Sequence, residues 1–175
     1  MALTELLATC GQVAPGASSV FYIIEAHDVE SIPAVGVDGI TVASDIVCKT
    51  GKKFVTIEGA PETQEFKASG SGDPGFVSVS NEFMFSIPGI SVAKKDLMRT
   101  LVSCPVIILF KNKSDASGRY TILGSKEDPA WLSKADYSTG RKVGDKNVFD
   151  YVVRDLSGKD LNQYTGDIDS LLIPA

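Results

Sequence analysis

The segment at residues 77–87 alternates between two kinds of side chain, and this alternation constrains the fold more than any other feature. One set is apolar except for a single asparagine: Val77, Val79, Asn81, Phe83, Phe85 and Ile87. The intervening set is mostly small and polar: Ser78, Ser80, Glu82, Met84 and Ser86. Because successive side chains of a strand point to opposite faces, this pattern predicts one long strand with a buried face and a solvent or contact face. Pro88 and Gly89 are expected to end it.

A short helix and a buried strand are predicted directly after this segment. Ser91 is suited to cap a helix over about residues 92–103, in which Ala93, Leu97 and Leu101 recur at helical spacing. Pro105 disfavours helical geometry at the residue before it, so the helix is expected to stop there. Residues 106–110 are apolar at every position, which predicts a strand covered on both faces.

The rest of the chain has strand patterns separated by turn residues. Further strands are predicted at residues 20–26, 63–68, 119–123, 148–153 and 161–168, and a long hairpin is predicted over about 40–58 with its turn at 49–52. Residues 69–75 and the stretch around Trp131 are expected to be loops. The fold class is therefore β-rich α+β, a barrel or sandwich of about nine strands with one flanking helix.

The length of 175 residues fits one domain spanning residues 1–175. Residues 1–19 are expected to form an N-terminal arm with a short helix at 2–9. Residues 169–175 are expected to form a C-terminal tail docked through Leu171, Leu172 and Ile173.

The charge balance argues against a protein that grips nucleic acid. The net charge is −5 and the pI is about 4.9, whereas phosphate-binding proteins usually carry a basic face. A mildly acidic wall along which DNA slides remains compatible, because such a wall repels phosphates. Cys10, Cys48 and Cys104 are odd in number and lack CxxC spacing, so neither a disulfide framework nor a zinc site is expected.

The N-terminal segment lacks a basic region and carries Glu5, so no secretory signal is predicted. No apolar run approaches the roughly 18 residues that a membrane helix needs. The sequence therefore predicts a protein that folds in a cytoplasm and has no membrane span.

The chain shows no pattern typical of catalysis, and we expect it not to be an enzyme. His27 is the single histidine, so any Ser-His-Asp, Cys-His or multi-histidine zinc site would depend on it. Residues 50–53 lack the first glycine of a P-loop and the hydroxyl residue after its lysine. Asp115 opens a loop too poor in oxygen ligands for calcium, and Glu62 and Glu65 do not share a strand face. No cofactor and no metal are predicted.

The order of elements resembles the major tail tube proteins of tailed bacteriophages, which are related to the type VI secretion tube protein. The resemblance covers roughly residues 40–168. It depends on a long strand ending in SIPG, a short helix, the segment PVIILFKNKSDASGRYTILGS, a loop with Asp136, Gly140 and Arg141, and the segments DKNVFDYVVRD and LNQYTGDI.

This resemblance implies a structural virion protein that assembles with itself into homohexameric rings. The rings stack into a tail tube that conducts DNA without sequence-specific binding, and other virion tail proteins are partners. The expected location is the virion tail, with assembly in the host cytoplasm. The hairpin at 40–58 and the loop at 69–75 are then candidate subunit contacts. The candidate interface residues are Val42, Ile46, Lys49, Lys52, Lys53, Phe54, Asp73 and Phe76.

Two alternatives stay open on the sequence alone. One is another virion component, a head-to-tail connector or tail terminator. The other is a non-catalytic ligand-binding β-sandwich, which would need exposed aromatic side chains on one face. The aromatic residues that would have to supply that face are scattered along the chain: Trp131, Tyr137, Tyr151 and Tyr164.

Overall fold

The fold, seen in a computed structural model, is built from strands with one α-helix. The structure describes residues 16–89, 91–113, 115, 117–139, 147–159 and 161–172. In chain order the elements are β1 (Ala17–Glu25), a 3₁₀ turn (Ala26–Asp28), β2 (Val29–Ser31), β3 (Thr41–Val42), β4 (Val47–Cys48), β5 (Val55–Glu58), β6 (Glu65–Ser71), β7 (Ser78–Pro88), α1 (Val92–Ser103), β8 (Val106–Asn112), β9 (Tyr120–Leu123), β10 (Trp131–Ser138), β11 (Val148–Gly158), β12 (Gln163–Tyr164) and a second 3₁₀ turn (Asp169–Leu171).

Two large sheets pack face to face, and a small one lies beside them. The first has the strand order β3-β12-β9-β8-β1-β5, the second has the order β10-β11-β7-β6, and β2 pairs with β4. Aromatic rings join the two large sheets: Phe21 lies 5.2 Å from Phe83 between ring centroids, and Phe83 stacks on Phe110 at 4.6 Å. Leu101 of α1 closes the same core.

A second apolar cluster covers the other face of the six-stranded sheet. Alternate residues of β8 divide between the two clusters, with Ile108 and Phe110 in the first and Ile107 and Leu109 in the second. The prediction that residues 106–110 form a strand buried on both faces is therefore confirmed. Its hairpin with β9 is also confirmed, because Leu109 pairs with Ile122.

The long strand and the helix are confirmed as well. Phe83, Phe85 and Ile87 of β7 are buried, as the alternation predicts. The side chain of Ser91 caps α1 by accepting a hydrogen bond from the backbone N–H of Lys94 at 3.3 Å. The chain becomes extended at Cys104, directly before Pro105, so the helix ends where the proline requires it.

The predicted hairpin at residues 40–58 is wrong. Its turn exists, because Lys52 N–H donates to the carbonyl oxygen of Lys49 at 2.9 Å, but the flanking segments do not pair with each other. Instead β3 pairs with β12, β4 pairs with β2, and β5 pairs with β1. The physical reason is burial: Val42, Ile46 and Phe54 all pack in the second apolar cluster, which a flat two-stranded hairpin could not cover.

The strands β6 and β7 form a hairpin that includes part of the predicted loop. Residues 69–71 belong to β6, where Ser69 pairs with Ser80 and Ser71 with Ser78.

A second error concerns residues 131–138, predicted as a loop but forming β10. A bulge between Leu132 and Lys134 breaks the alternation there, which hides the strand from a period-two pattern. The last predicted strand, 161–168, is reduced to Gln163–Tyr164.

No sheet closes into a barrel within the described residues, so the closed-barrel prediction and the count of about nine strands are not confirmed. The architecture is β-rich α+β with two facing sheets. Most of the predicted N-terminal arm lies outside the described residues. Of the predicted C-terminal tail, Leu171 is buried, and its carbonyl oxygen accepts a hydrogen bond from Phe54 N–H at 2.9 Å.

The core contains one tyrosine that we expect to be replaceable by phenylalanine. The hydroxyl of Tyr151 is buried and has no hydrogen-bond partner within the described part of the chain, and burial raises the pKa of Tyr151 to about 12. An unsatisfied buried hydroxyl costs about 1–3 kcal/mol, so Tyr151→Phe should leave stability at pH 7 unchanged or raise it by about 1 kcal/mol.

The same variant has an expected pH signature. An unfolded tyrosine ionises near pH 10, whereas the folded Tyr151 keeps its proton until about pH 12. Preferential ionisation of the unfolded state therefore leaves stability unchanged below about pH 10 and lowers it as the pH rises toward 12. Urea unfolding at pH 8, 10 and 11.5 should therefore show a smaller alkaline loss in Tyr151→Phe than in the unaltered protein. An equal loss in both would contradict this assignment.

Candidate functional site

The four-stranded sheet has two open edges, and these are the most distinctive feature of the molecular surface. Its strands are antiparallel throughout, and β10 and β6 lie at its two ends with no further strand beside them among the described residues. Along β6 every side chain is exposed except that of Phe66, which is half-buried. Unpaired N–H and C=O groups on such an edge are a template for pairing with another chain.

The outer face of this sheet is polar and charged. Glu82 on β7 lies between Arg154 on β11 and Lys67 on β6, because both are its cross-strand partners. The Nε of Arg154 donates to Ser80 Oγ at 2.7 Å and lies 3.6 Å from Glu82 Oε1. These contacts hold the Arg154 side chain against the outer face of the sheet.

A second group of charges lies further along the same face. Ser86 donates a hydrogen bond to Asp150, and Asp136 of β10 is the cross-strand neighbour of Asp150. Lys134 Nζ lies 2.5 Å from Asp136 Oδ2, and this contact raises the pKa of Lys134. Positive and negative groups therefore alternate over the face, which provides hydrogen bonding and charge but no strongly attractive field for phosphates.

The tip of the β6–β7 hairpin exposes two apolar side chains. A backbone hydrogen bond from Phe76 N–H to the carbonyl oxygen of Asp73 at 2.9 Å closes the turn. Gly72 and Gly75 have φ values of 139° and 86°, which non-glycine residues rarely adopt. The side chain of Phe76 is 84% exposed and that of Val77 is 58% exposed. The structure thus places the predicted interface residues Asp73 and Phe76 on a free surface.

Three other predicted interface residues are not on a free surface. Val42, Ile46 and Phe54 are buried in the second apolar cluster of their own chain, where Tyr164 and Leu171 cover them. A side chain that is already buried has little surface left to offer a partner, so these three are corrected from interface to core positions. Their alternation with polar neighbours reflects this internal burial.

The three predicted interface lysines lie at the surface, near one another in the turn between β4 and β5. Lys52 Nζ lies 3.0 Å from Asp28 Oδ2, and this contact raises the pKa of Lys52. Lys53 Nζ donates to the carbonyl oxygen of Ser170. Lys49 is exposed, and its backbone N–H donates to the carbonyl oxygen of Asp28 at 2.9 Å. Whether these lysines contact another copy stays a prediction.

The single histidine belongs to a small charge cluster beside these lysines. His27 Nδ1 lies 3.3 Å from Glu25 Oε2, and His27 Nε2 lies 3.2 Å from Asp28 Oδ1. One ligand atom from each of the three residues falls within 4.8 Å of the others. Lys52 contacts the second oxygen of Asp28, so the arrangement ties the β4–β5 turn to the end of β1 by charge.

A buried polar pair between β7 and β11 escaped the sequence analysis. Asn81 Nδ2 donates to the carbonyl oxygen of Lys159 at 2.7 Å and to Asp155 Oδ2 at 3.4 Å. Asp155 also accepts from the N–H and the hydroxyl of Ser157, at 2.9 and 2.8 Å. The signal that could have revealed it is Asn81 itself, the one polar residue on the apolar face of the long strand.

No family model, no curated protein and no solved structure matches the chain. Within the described ranges, the one α-helix is too short and too polar to cross a membrane.

Proposed function

We propose that the chain is a structural virion protein that assembles with copies of itself into rings, and that the rings stack into a tail tube that conducts DNA. The single observation that carries the proposal is the four-stranded sheet, in which each edge strand has a neighbouring strand on one side only among the described residues. Copies of such a sheet can pair edge to edge, and no enzyme-like constellation is needed for that function.

The direction of the strands supports this mode of assembly. In an antiparallel sheet of four strands, the first and last strands run in opposite directions. When β6 of one copy is set beside β10 of the next, their pairing is therefore antiparallel, like every other pair in the sheet. The two surfaces that meet are different, so the contact repeats from copy to copy and closes into a ring when the rotation permits.

The outer face of the sheet suits the wall of a DNA channel. It combines acidic residues (Glu65, Glu82, Asp136 and Asp150) with basic ones (Lys67, Lys134 and Arg154), as the cross-strand pairs place them. A basic wall would hold phosphates through released counterions, whereas a mixed and slightly acidic wall leaves DNA free to slide. The proposed partners are other copies of this chain and further virion tail proteins, and the proposed location is the virion tail.

A connector or tail terminator is the second candidate, because the same open edges would serve a single ring. The two functions differ in whether rings stack. The apolar hairpin tip favours stacking, since Phe76 stays exposed in the chain and lies outside the two edges used within a ring. A ligand-binding aromatic platform is less well supported. Trp131 shares a face with Arg154, whereas Tyr137 lies on the opposite, core-facing side against Phe149.

The test is electron microscopy with mass photometry on the purified protein at rising concentration. We expect rings or tubes with a central hole of DNA width, whereas single rings that never stack would favour the connector. A monomer at every concentration would contradict the proposal.

Proline variants of β6 test whether the edge makes the contact. Neighbouring residues of an edge strand direct their N–H groups alternately inward and outward. Of Lys67→Pro and Ala68→Pro, one should therefore keep its pairing with β7 and block the outer edge. That variant should fold like the unaltered protein but need about tenfold more protein to assemble, as expected for a lost hydrogen bond and added steric conflict.

The proline pair Ala135→Pro and Asp136→Pro gives the same comparison on β10. Circular dichroism and thermal unfolding identify the folded member of each pair. Unchanged assembly by the folded variants on both edges would exclude edge pairing as the contact.

A further inference from the structure

The exposed phenylalanine at the hairpin tip and a cavity beside the helix have matching size and chemistry. We propose that Phe76 of one copy inserts into the cavity between α1 and β5 of a neighbouring copy, an inference that rests on the proposed self-assembly and specifies its second contact. The occupant of the cavity is thus a second copy of this chain.

The cavity has room for the side chain. Its volume is about 210 Å³, and its apolar walls are Ile23, Val55, Leu97, Leu101 and Val106. A dry apolar cavity of about 150 Å³ is enough to bind benzene, so a phenylalanine ring fits the available space. Val55 lies on the edge strand β5 and is itself exposed, which leaves one side of the cavity accessible from outside.

The charges at the two sites are complementary. Lys53 lines the cavity, and Asp73 lies on the hairpin tip three residues before Phe76. The cavity also contains carboxylates from Glu25 and Asp28. Within the described chain both have partners: Asp28 pairs with Lys52 at 3.0 Å, and Glu25 Oε2 lies 3.3 Å from His27 Nδ1.

Lys53 is therefore the cation at the cavity that can form an ion pair with an incoming carboxylate. Its ammonium donates to a neutral carbonyl oxygen, that of Ser170, and forms no ion pair with any described carboxylate.

The geometry of the chain directs this contact to another molecule. The hairpin tip precedes β7 at Ser78, whereas α1 follows the opposite end of β7 after Pro88. At about 3.3 Å per residue, the two ends of β7 are separated by roughly 30 Å. A tip-to-cavity contact joins two different surfaces, so it can repeat from one copy to the next and is distinct from pairing of the sheet edges.

Photo-crosslinking tests the contact directly. A benzophenone amino acid replaces Phe76 in the full chain, and the control carries it at Val92, a similarly exposed apolar position on α1. Under assembling conditions we expect crosslinks from position 76 to residues 23–25, 53–55 or 97–101 of another copy. Crosslinks from position 76 to other regions, or none while rings and tubes are present, would overturn the inference and leave the proposed function intact. A protein that stays monomeric would overturn both.

Charge exchange provides an independent test. Asp73→Lys and Lys53→Asp should each raise the concentration needed for stacking, and the double variant should restore it. Phe76→Ala should raise that concentration by about tenfold to a hundredfold, as the loss of one buried phenylalanine predicts, while single rings persist. If the double variant still needed a raised concentration for stacking and Phe76→Ala stacked normally, the cavity between α1 and β5 would be excluded as the binding site of Phe76.

Discussion

Replacement of Phe83 by alanine is expected to lower the free energy of unfolding by about 3–5 kcal/mol. Phe83 is fully buried on β7, between the two large sheets. Its ring stacks on Phe110 at 4.6 Å and meets the edge of Phe21 at 5.2 Å, between centroids. The substitution removes these contacts and leaves a cavity at the centre of the core, where both sheets restrict collapse.

Phe76→Ala is the matched control. It is the same substitution, in the same hairpin, at a position that is 84% exposed. Its effect on unfolding should stay within about 0.5 kcal/mol, because exposed side chains contribute little to the stability of a monomer. Urea unfolding monitored by circular dichroism, below the concentration at which the protein assembles, measures both variants.

The two variants should therefore separate stability from assembly. Phe83→Ala should unfold at a lower urea concentration, whereas Phe76→Ala should change assembly and leave unfolding unaltered. Equal losses of stability in both variants would mean that the hairpin tip is packed in the monomer, against its observed exposure. A loss below about 1 kcal/mol for Phe83→Ala would contradict the placement of the core.

The sequence predicts correctly those elements whose signals are local. The strand at residues 77–87 has an alternation long enough to identify its buried face, and β7 contains it almost entirely. The helix α1 has a cap at Ser91 and a stop at Pro105, so both of its ends follow from neighbouring residues. The hairpin of β8 and β9 follows from two apolar segments joined by a short polar turn.

Several errors concern elements whose partners are distant in sequence. The strands β3 and β4 have two residues each, which is too short for any periodicity, and β3 pairs with β12 near the other end of the chain. Residues 40–58 therefore looked like a self-contained hairpin. For the same reason the sequence could not distinguish Phe54, which the tail covers, from Phe76, which nothing within the described chain covers.

The candidate site was predictable only in part. The exposed apolar tip lies where the glycine-rich stretch indicates a turn, and its residues Asp73 and Phe76 were identified. The open edges were not identified, because an edge is a property of strand order, and β10 was hidden by its bulge. Which strand ends a sheet depends on long-range pairing that no local pattern encodes.

The polar residue on the apolar face of β7 leads to the second prediction. Asp155→Ala is expected to lower the free energy of unfolding by about 2–3 kcal/mol, because it removes one of the two acceptors of the Asn81 amide and the acceptor for both donors of Ser157. Asp155 is 2% exposed and Asn81 is fully buried, so the Asn81 amide is shielded from water that could replace the lost carboxylate. Asp150→Ala is the matched control on the exposed face of the same strand and should cost less than about 0.5 kcal/mol.

A double-mutant cycle separates the loss of the carboxylate from the penalty of leaving its hydrogen-bond donors without an acceptor. Asn81→Leu alone leaves Asp155 with its Ser157 donors but without its amide partner, and Asp155→Leu alone leaves the Asn81 amide and the Ser157 donors without the carboxylate. Asn81→Leu combined with Asp155→Leu replaces both polar groups by apolar ones on the inner face of the two strands, where the other cross-strand pairs belong to the hydrophobic core.

Because replacing both members of a buried polar pair can be nearly neutral, the double variant should lose less stability than the sum of the two single variants, with a coupling of about 1 kcal/mol or more. Strict additivity in urea unfolding would mean that the two side chains act independently. That result would be inconsistent with a shared hydrogen-bonded pair that joins β7 to the bulge of β11.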